Sequence, residues 1–156
     1  MSSVDDIATQ FAALAVTSGW QQNSSRYRRE RRAFIADAVV TGFRTNFGSN
    51  EADLSAWRRL CTTVGVGGAE AFGSIGECKK VSGRVLSSLL SSFTALKGTF
   101  VNIVDLVDAA NAGKTVSKTF KTANKLRAYS LPMGKIFPKK RAKSNPLLKF
   151  FLIVMF

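Results

Sequence analysis

The run RYRRERRAFIADAVVTGFRTNF, residues 26–47, decides how this chain is read. Tyr27, Phe34, Ile35, Ala38, Gly42 and Phe43 recur at helical spacing and fall on one side of a helix. They never alternate as the inward positions of a half-buried strand do. Gly48 follows as a natural stop. Arg26, Arg28, Arg29, Arg31 and Arg32 crowd the first two turns. They spread over most of the circumference, so they cannot all form a solvated stripe opposite a core. Such a segment either grips phosphates or pairs with the acids near positions 51–53 and 105–108.

The segments on either side repeat the helical period. Val4, Ile7, Phe11 and Leu14 share one face of a first helix, which Gly19 closes before the polar loop QQNSS. Asn50, with Asp53 three residues on, opens a third helix. Leu54, Trp57, Cys61 and Val64 line it, and Gly65 ends it. Ser74 and Glu77 form a capping box for another helix. In FVNIVDLVDAANAG, residues 100–113, Ile103, Leu106, Val107 and Ala110 point inward. Asp105 and Asp108 read as solvated there, and Gly113 as the stop. SKTFKTANKLRAYS, residues 117–130, is a very basic helix carrying Phe120, Leu126 and Tyr129, broken by Leu131, Pro132 and Gly134. Asn145 and Pro146 then start a terminal apolar helix as cap and first residue. The expectation is an all-α bundle of about six helices: an N-terminal helix and polar loop over 1–25, then one basic helical domain over 26–156.

Charge is distributed unevenly. Twenty-three Lys and Arg against ten Asp and Glu give +13 over 156 residues. Residues 1–112 carry +2, and residues 113–156, with eleven basic residues and no acid, carry +11. That asymmetry suits a polyanionic partner, either nucleic acid or an anionic membrane surface, and on charge alone it suits a solvated basic surface kept for solubility equally well. The chain has no histidine, which excludes Cys/His zinc sites and the Ser-His-Asp and Cys-His mechanisms. No metal or cofactor is expected. Cys61 and Cys78 read as buried thiols. The acidic first turn and interrupted apolar run do not suit a secretory leader, so the expected location is nucleus or cytoplasm.

Two glycine-containing stretches invite a phosphate-loop reading and are set aside. GVGGAEAFG, residues 65–73, follows no strand and does not match G-x-G-x-x-G. NAGKT, residues 111–115, has Asp108 where a Walker loop needs glycine, and it follows a helix. Asp105 and Asp108 read as two acids on a helix face rather than a catalytic pair. PKKRAK, residues 138–143, fits a short nuclear-import cluster through Lys139, Lys140, Arg141 and Lys143. Receptors read such clusters as extended chain, and the prolines at 138 and 146 are expected to hold it out of a helix. The tail LLKFFLIVMF, residues 147–156, is too short to span a bilayer. It reads first as core and second as an interfacial anchor. Tyr27, Trp57 and Tyr129 lie among basic residues, yet their register with aliphatic neighbours says core before base stacking.

The elements YRRERRAFIADAV, ECKK, VNIVDLVDA and IFPK, with the spacing between them, resemble a group of short, uncharacterised fungal proteins over roughly residues 27–152. The resemblance implies a shared intracellular helical domain and brings no reaction, cofactor or site. Against that pattern residues 81–94 are extra. They read either as a translated retained intron or as a genuine amphipathic extension of the preceding helix. Taken together, the expectation is a non-enzymatic basic interaction protein that contacts nucleic acid or chromatin. Its contacts are Arg26, Arg28, Arg29, Arg31, Arg32, Lys118, Lys121, Lys125 and Arg127. The alternative is a peripheral membrane or protein-scaffold module that uses the polybasic segment and the tail.

Overall fold

A computed structural model describes residues 4–65 and 100–149. The glycine-rich stretch 66–73, the capping box at Ser74 and Glu77, Cys78, the extra piece 81–94 and the tail beyond 149 lie outside the described residues. Within them the protein is all-α. Five α-helices occur: α1 (Ile7–Thr17), α2 (Ser25–Phe47), α3 (Leu54–Val64), α4 (Ile103–Asn111) and α5 (Ala123–Met133). A 3-10 helix (Lys139–Ser144) follows, and residues 146–149 begin another helical turn. Among the described residues the sole extended pairing is an isolated antiparallel bridge between Phe100 and Phe120.

The starts are set by side-chain caps. Asp6, Ser24, Asp53, Asn102 and Thr122 each accept a hydrogen bond from a first-turn N–H, which satisfies donors that have no intrahelical partner. The third helix opens at Asp53 and not at Asn50. Asn50 instead accepts from Ala52 N–H at 2.9 Å and so folds the turn that leads in.

α2 is the central stave, and α1, α3, α4 and the 3-10 helix all pack on it. Its buried stripe is Ile35, Ala36, Val39, Phe43 and Phe47. Gly42 lets α4 approach: a Cβ there would strike Val107 Cγ1. Trp57 is fully buried and its indole N–H donates to Glu51 O at 2.9 Å. Leu60 and Val104 are buried as well, positions that the apolar spacing did not single out.

The face of α1 differs from expectation. Ile7, Phe11 and Ala15 are buried, whereas Val4 and Leu14 are 58% and 40% exposed. Val4 precedes the cap Asp6, so it is not on the helix. Phe11 meets the rings of Tyr27 and Phe34 at 5.1 and 5.5 Å, and the small Ala15 lies one turn further along that contact.

The three prolines also act differently from expectation. Pro132 lies inside the last turn of α5, which Gly134 ends in the left-handed region. The N–H that it lacks would have met the carbonyl of Ala128, and both residues are exposed, so water can take that bond. Pro138 and Pro146 do not hold 139–144 extended. Each precedes or opens a helical turn, where a proline forfeits no bond, and the segment between them is 3-10 helix.

The start of the tail belongs to the core. Asn145, fully buried, donates to Gly48 O at 3.1 Å and caps Leu148 N–H at 3.0 Å. Leu147 and Leu148 are completely covered.

Candidate polyanion-binding surface

Arg28 and Arg32 are one turn apart and continue the stripe of Ala36, Val39 and Phe43 toward the N-terminus of α2. Both are exposed. The core-facing stripe of α2 therefore runs past the edge of the core and ends in arginine. This is why the cluster spans most of the helix circumference.

The remaining arginines are engaged. Arg26 stacks over the Trp20 ring at 5.7 Å. Arg29 pairs with Glu30 at 3.3 Å, mostly in solvent. Arg31 donates to Met133 O at 3.0 Å, at the C-terminus of α5, where a cation complements the helix dipole. Gly134 makes room for it, because a Cβ there would overlap the Arg31 guanidinium. Among the described residues no ion pair joins this run to Glu51, Asp53, Asp105 or Asp108.

Arg141 of the 3-10 helix forms an ion pair with Asp37 of α2. With Arg31 reaching α5, the structure thereby ties three basic segments together. Lys139, Lys140 and Lys143 are exposed on the 3-10 helix. Lys140 and Lys143 have no ion-pair partner among the described residues. Arg127 and Lys139 share a cleft of about 520 Å³ with Lys135, walled by Ile103, Leu126 and Phe137. Lys121, just ahead of α5, and Lys125, in its first turn, are exposed. Lys118 lies 5.1 Å from the Tyr129 ring centre.

The acids are already occupied. Asp105 is not solvated: its side chain is 16% exposed and takes Lys135 Nζ at 2.7 Å. Asp108 accepts the Ile7 N–H at 2.9 Å. Spacing along α4 suggested a solvent face, but partners from 30 and 101 residues away cover it. Lys135 is the functional-looking residue that sequence reasoning missed, since a lone lysine after Gly134 carries no pattern.

Among the described residues no three His, Cys, Asp or Glu side chains are grouped to hold a metal, and no helix is long and apolar enough to cross a membrane. Compared with known proteins, the chain matches no protein family, no curated protein and no solved structure.

Proposed function

We propose that the protein is a non-enzymatic, nucleic-acid-binding helical domain. It contacts the phosphate backbone through the N-terminal stripe of α2 and the 3-10 helix. One observation carries this reading. Glu30 and Asp37, the two acids of α2, are paired with Arg29 and Arg141. Arg28, Arg32, Lys140 and Lys143 stay exposed on neighbouring elements without a counter-charge among the described residues. Repulsion among such cations is relieved by a polyanion, and release of its counterions drives binding. The membrane alternative is weakened because Leu147 and Leu148, the first apolar residues of the tail, are buried.

Fluorescence anisotropy with labelled duplex and single-stranded oligonucleotides across a salt series tests the reading. Affinity falls linearly on logarithmic axes. R28Q/R32Q reduces that slope by about 2, one for each phosphate left without its arginine. No binding at low salt, or an unchanged slope in the double variant, refutes the surface. Nuclear import through the cluster at 139–143 is part of the same reading. Microscopy of a tagged chain with residues 139–141 neutralised tests it, and an unchanged nuclear signal refutes it.

A further inference from the structure

We propose that Trp20 is a stacking platform for an unpaired nucleobase, which makes the partner a single-stranded nucleic acid. This rests on the nucleic-acid reading above and adds a base contact to its phosphate contacts. Trp20 lies in the turn between α1 and α2, partly exposed, with the Arg26 guanidinium 5.7 Å from its ring centre. A duplex hides its base faces within the stack, whereas a single strand offers them to aromatic side chains.

The two tryptophans of the chain are in opposite situations. Trp57 is fully buried, and its indole N–H donates to Glu51 O at 2.9 Å. Trp20 keeps part of its surface in solvent, and its indole N–H has no acceptor among the described residues. That N–H reaches solvent, because Asp105 Oδ2 is the buried side-chain atom without a partner among those residues. Tyr129 is no rival platform. Phe120 lies 5.0 Å from its ring centre, and Lys118 and Lys135 lie at 5.1 and 5.4 Å.

The fold accounts for part of Trp20. Gly19, at φ +68°, ends α1, and its N–H donates to Val16 O at 3.1 Å. The Trp20 N–H donates to Ala15 O at 3.0 Å. Such an end commonly carries an apolar contact from the residue after the glycine back onto the helix. Trp20 makes one with the buried Phe11, at 6.0 Å between ring centres. A leucine would serve that purpose equally well. It would not supply a ring with a solvent-facing N–H and a guanidinium over it. The same contacts hold the indole in place beforehand, so little ordering entropy is lost on binding.

Arg26 is exposed, and a solvated cation–π contact is weaker than a base stacked on an aromatic ring. A base therefore displaces the guanidinium from the indole, and the freed arginine meets the adjoining phosphate. Arg28 and Arg32 stand about 3 and 9 Å further along the axis of α2, roughly the rise of one and three stacked nucleotides. Base and phosphate contacts thus fall on one short stretch of strand.

Fluorescence anisotropy of the full chain with a labelled single strand, the matching duplex and an abasic strand of equal length tests the platform. The strand is DNA or RNA, whichever the parent binds more tightly. W20L keeps an apolar contact for Phe11 but has no ring. It weakens single-strand binding about ten-fold, the worth of one base stack, and brings it to the level of the abasic strand. W20F retains a ring and recovers most of that loss. Duplex and abasic strand bind W20L as they bind the parent. Trp57 is buried, so quenching of the indole emission by the single strand reports Trp20, and the abasic strand does not produce it. The platform is refuted if W20L binds the single strand as the parent does, or if it weakens all three ligands by one factor. Absence of binding to any nucleic acid at low salt removes this inference together with the function it rests on. Binding that is indifferent to Trp20 removes the inference alone.

Discussion

The Ile7 N–H, first in α1, donates to the Asp108 carboxylate of α4 at 2.9 Å, across 101 residues of chain. A carboxylate at a helix N-terminus is ordinarily favourable, because it meets both an orphan donor and the positive end of the dipole. Here burial outweighs that gain and pushes the Asp108 carboxyl up to about 6 from 3.8. The Ile7 N–H and the charge of Lys135 oppose the shift, while Asp6 and Asp105 add to it.

Folding therefore takes up a proton at Asp108 between about pH 4 and pH 6. The stability this supplies is complete below 3.8 and is lost as pH rises through 6. D108N keeps an oxygen for Ile7 and carries no charge. Its melting temperature should exceed that of the parent at pH 7 and converge with it near pH 4. A melting-temperature difference that stays constant from pH 4 to pH 7.5 contradicts this account.

Gly42 and Val107 fix how closely α2 and α4 pack. G42A gains helix propensity of up to about 1 kcal/mol. It also adds a Cβ where Val107 Cγ1 already sits, and overpacking costs about 1–3 kcal/mol. The net expectation is a loss of up to about 2 kcal/mol in urea unfolding. Combining it with V107A should cost less than the sum of the two single changes, because the added methyl then has space. Additive costs mean that the two side chains do not meet.

What the sequence discloses about this fold is what is written locally. The cap at Asn145 and the left-handed stops at Gly65 and Gly134 are single-residue signals, and they lie where helices start and end. Asn102 and Thr122, by contrast, were not read as caps, and the basic helix expected over 117–130 starts at Ala123. The face of α1 was less legible, because an alanine such as Ala15 weighs little in an apolar period and still packs well. The acids of α4 were misread because charge alone suggests solvent. Their environment comes from Ile7 and Lys135, which no spacing rule connects to them. For the basic residues, the sequence shows the charges. It does not say that Arg31 serves α5 while Arg28 and Arg32 do not, since that depends on where α2 outruns the core.

Asp37 is the acid that competes with a polyanion for Arg141. Both partners are largely exposed, at 64% and 47%, so their pairing contributes at most about 1 kcal/mol to stability. D37N should thus leave the melting temperature nearly unchanged while it frees Arg141. Under the proposed function, affinity for oligonucleotides rises a few-fold at low salt, and the salt slope steepens by about 1. R141Q moves both in the opposite direction. If D37N binds no tighter than the parent, the 3-10 helix is not part of the contact surface.

Lys135 and Asp105 form the covered ion pair of the described structure, with side chains 13% and 16% exposed. Lys135 Nζ also donates to Tyr129 Oη at 3.1 Å. Burial by itself would lower the lysine pKa, yet hydrogen bonds to Asp105 and Tyr129 raise it above 10.5. The lysine therefore stays charged, and its contribution is present below 10.5 and lost at still higher pH. Asp105 depends on it heavily, because its second oxygen is buried without a hydrogen-bond partner. K135M keeps the apolar stem and strands that carboxylate, at a cost of about 3–5 kcal/mol. D105N/K135M removes the stranded charge and should recover a large part of the loss, as urea unfolding of the single and double variants at pH 7 will read out. If the double variant is less stable than K135M, the pair's value lies in Asp105 contacts other than the lysine.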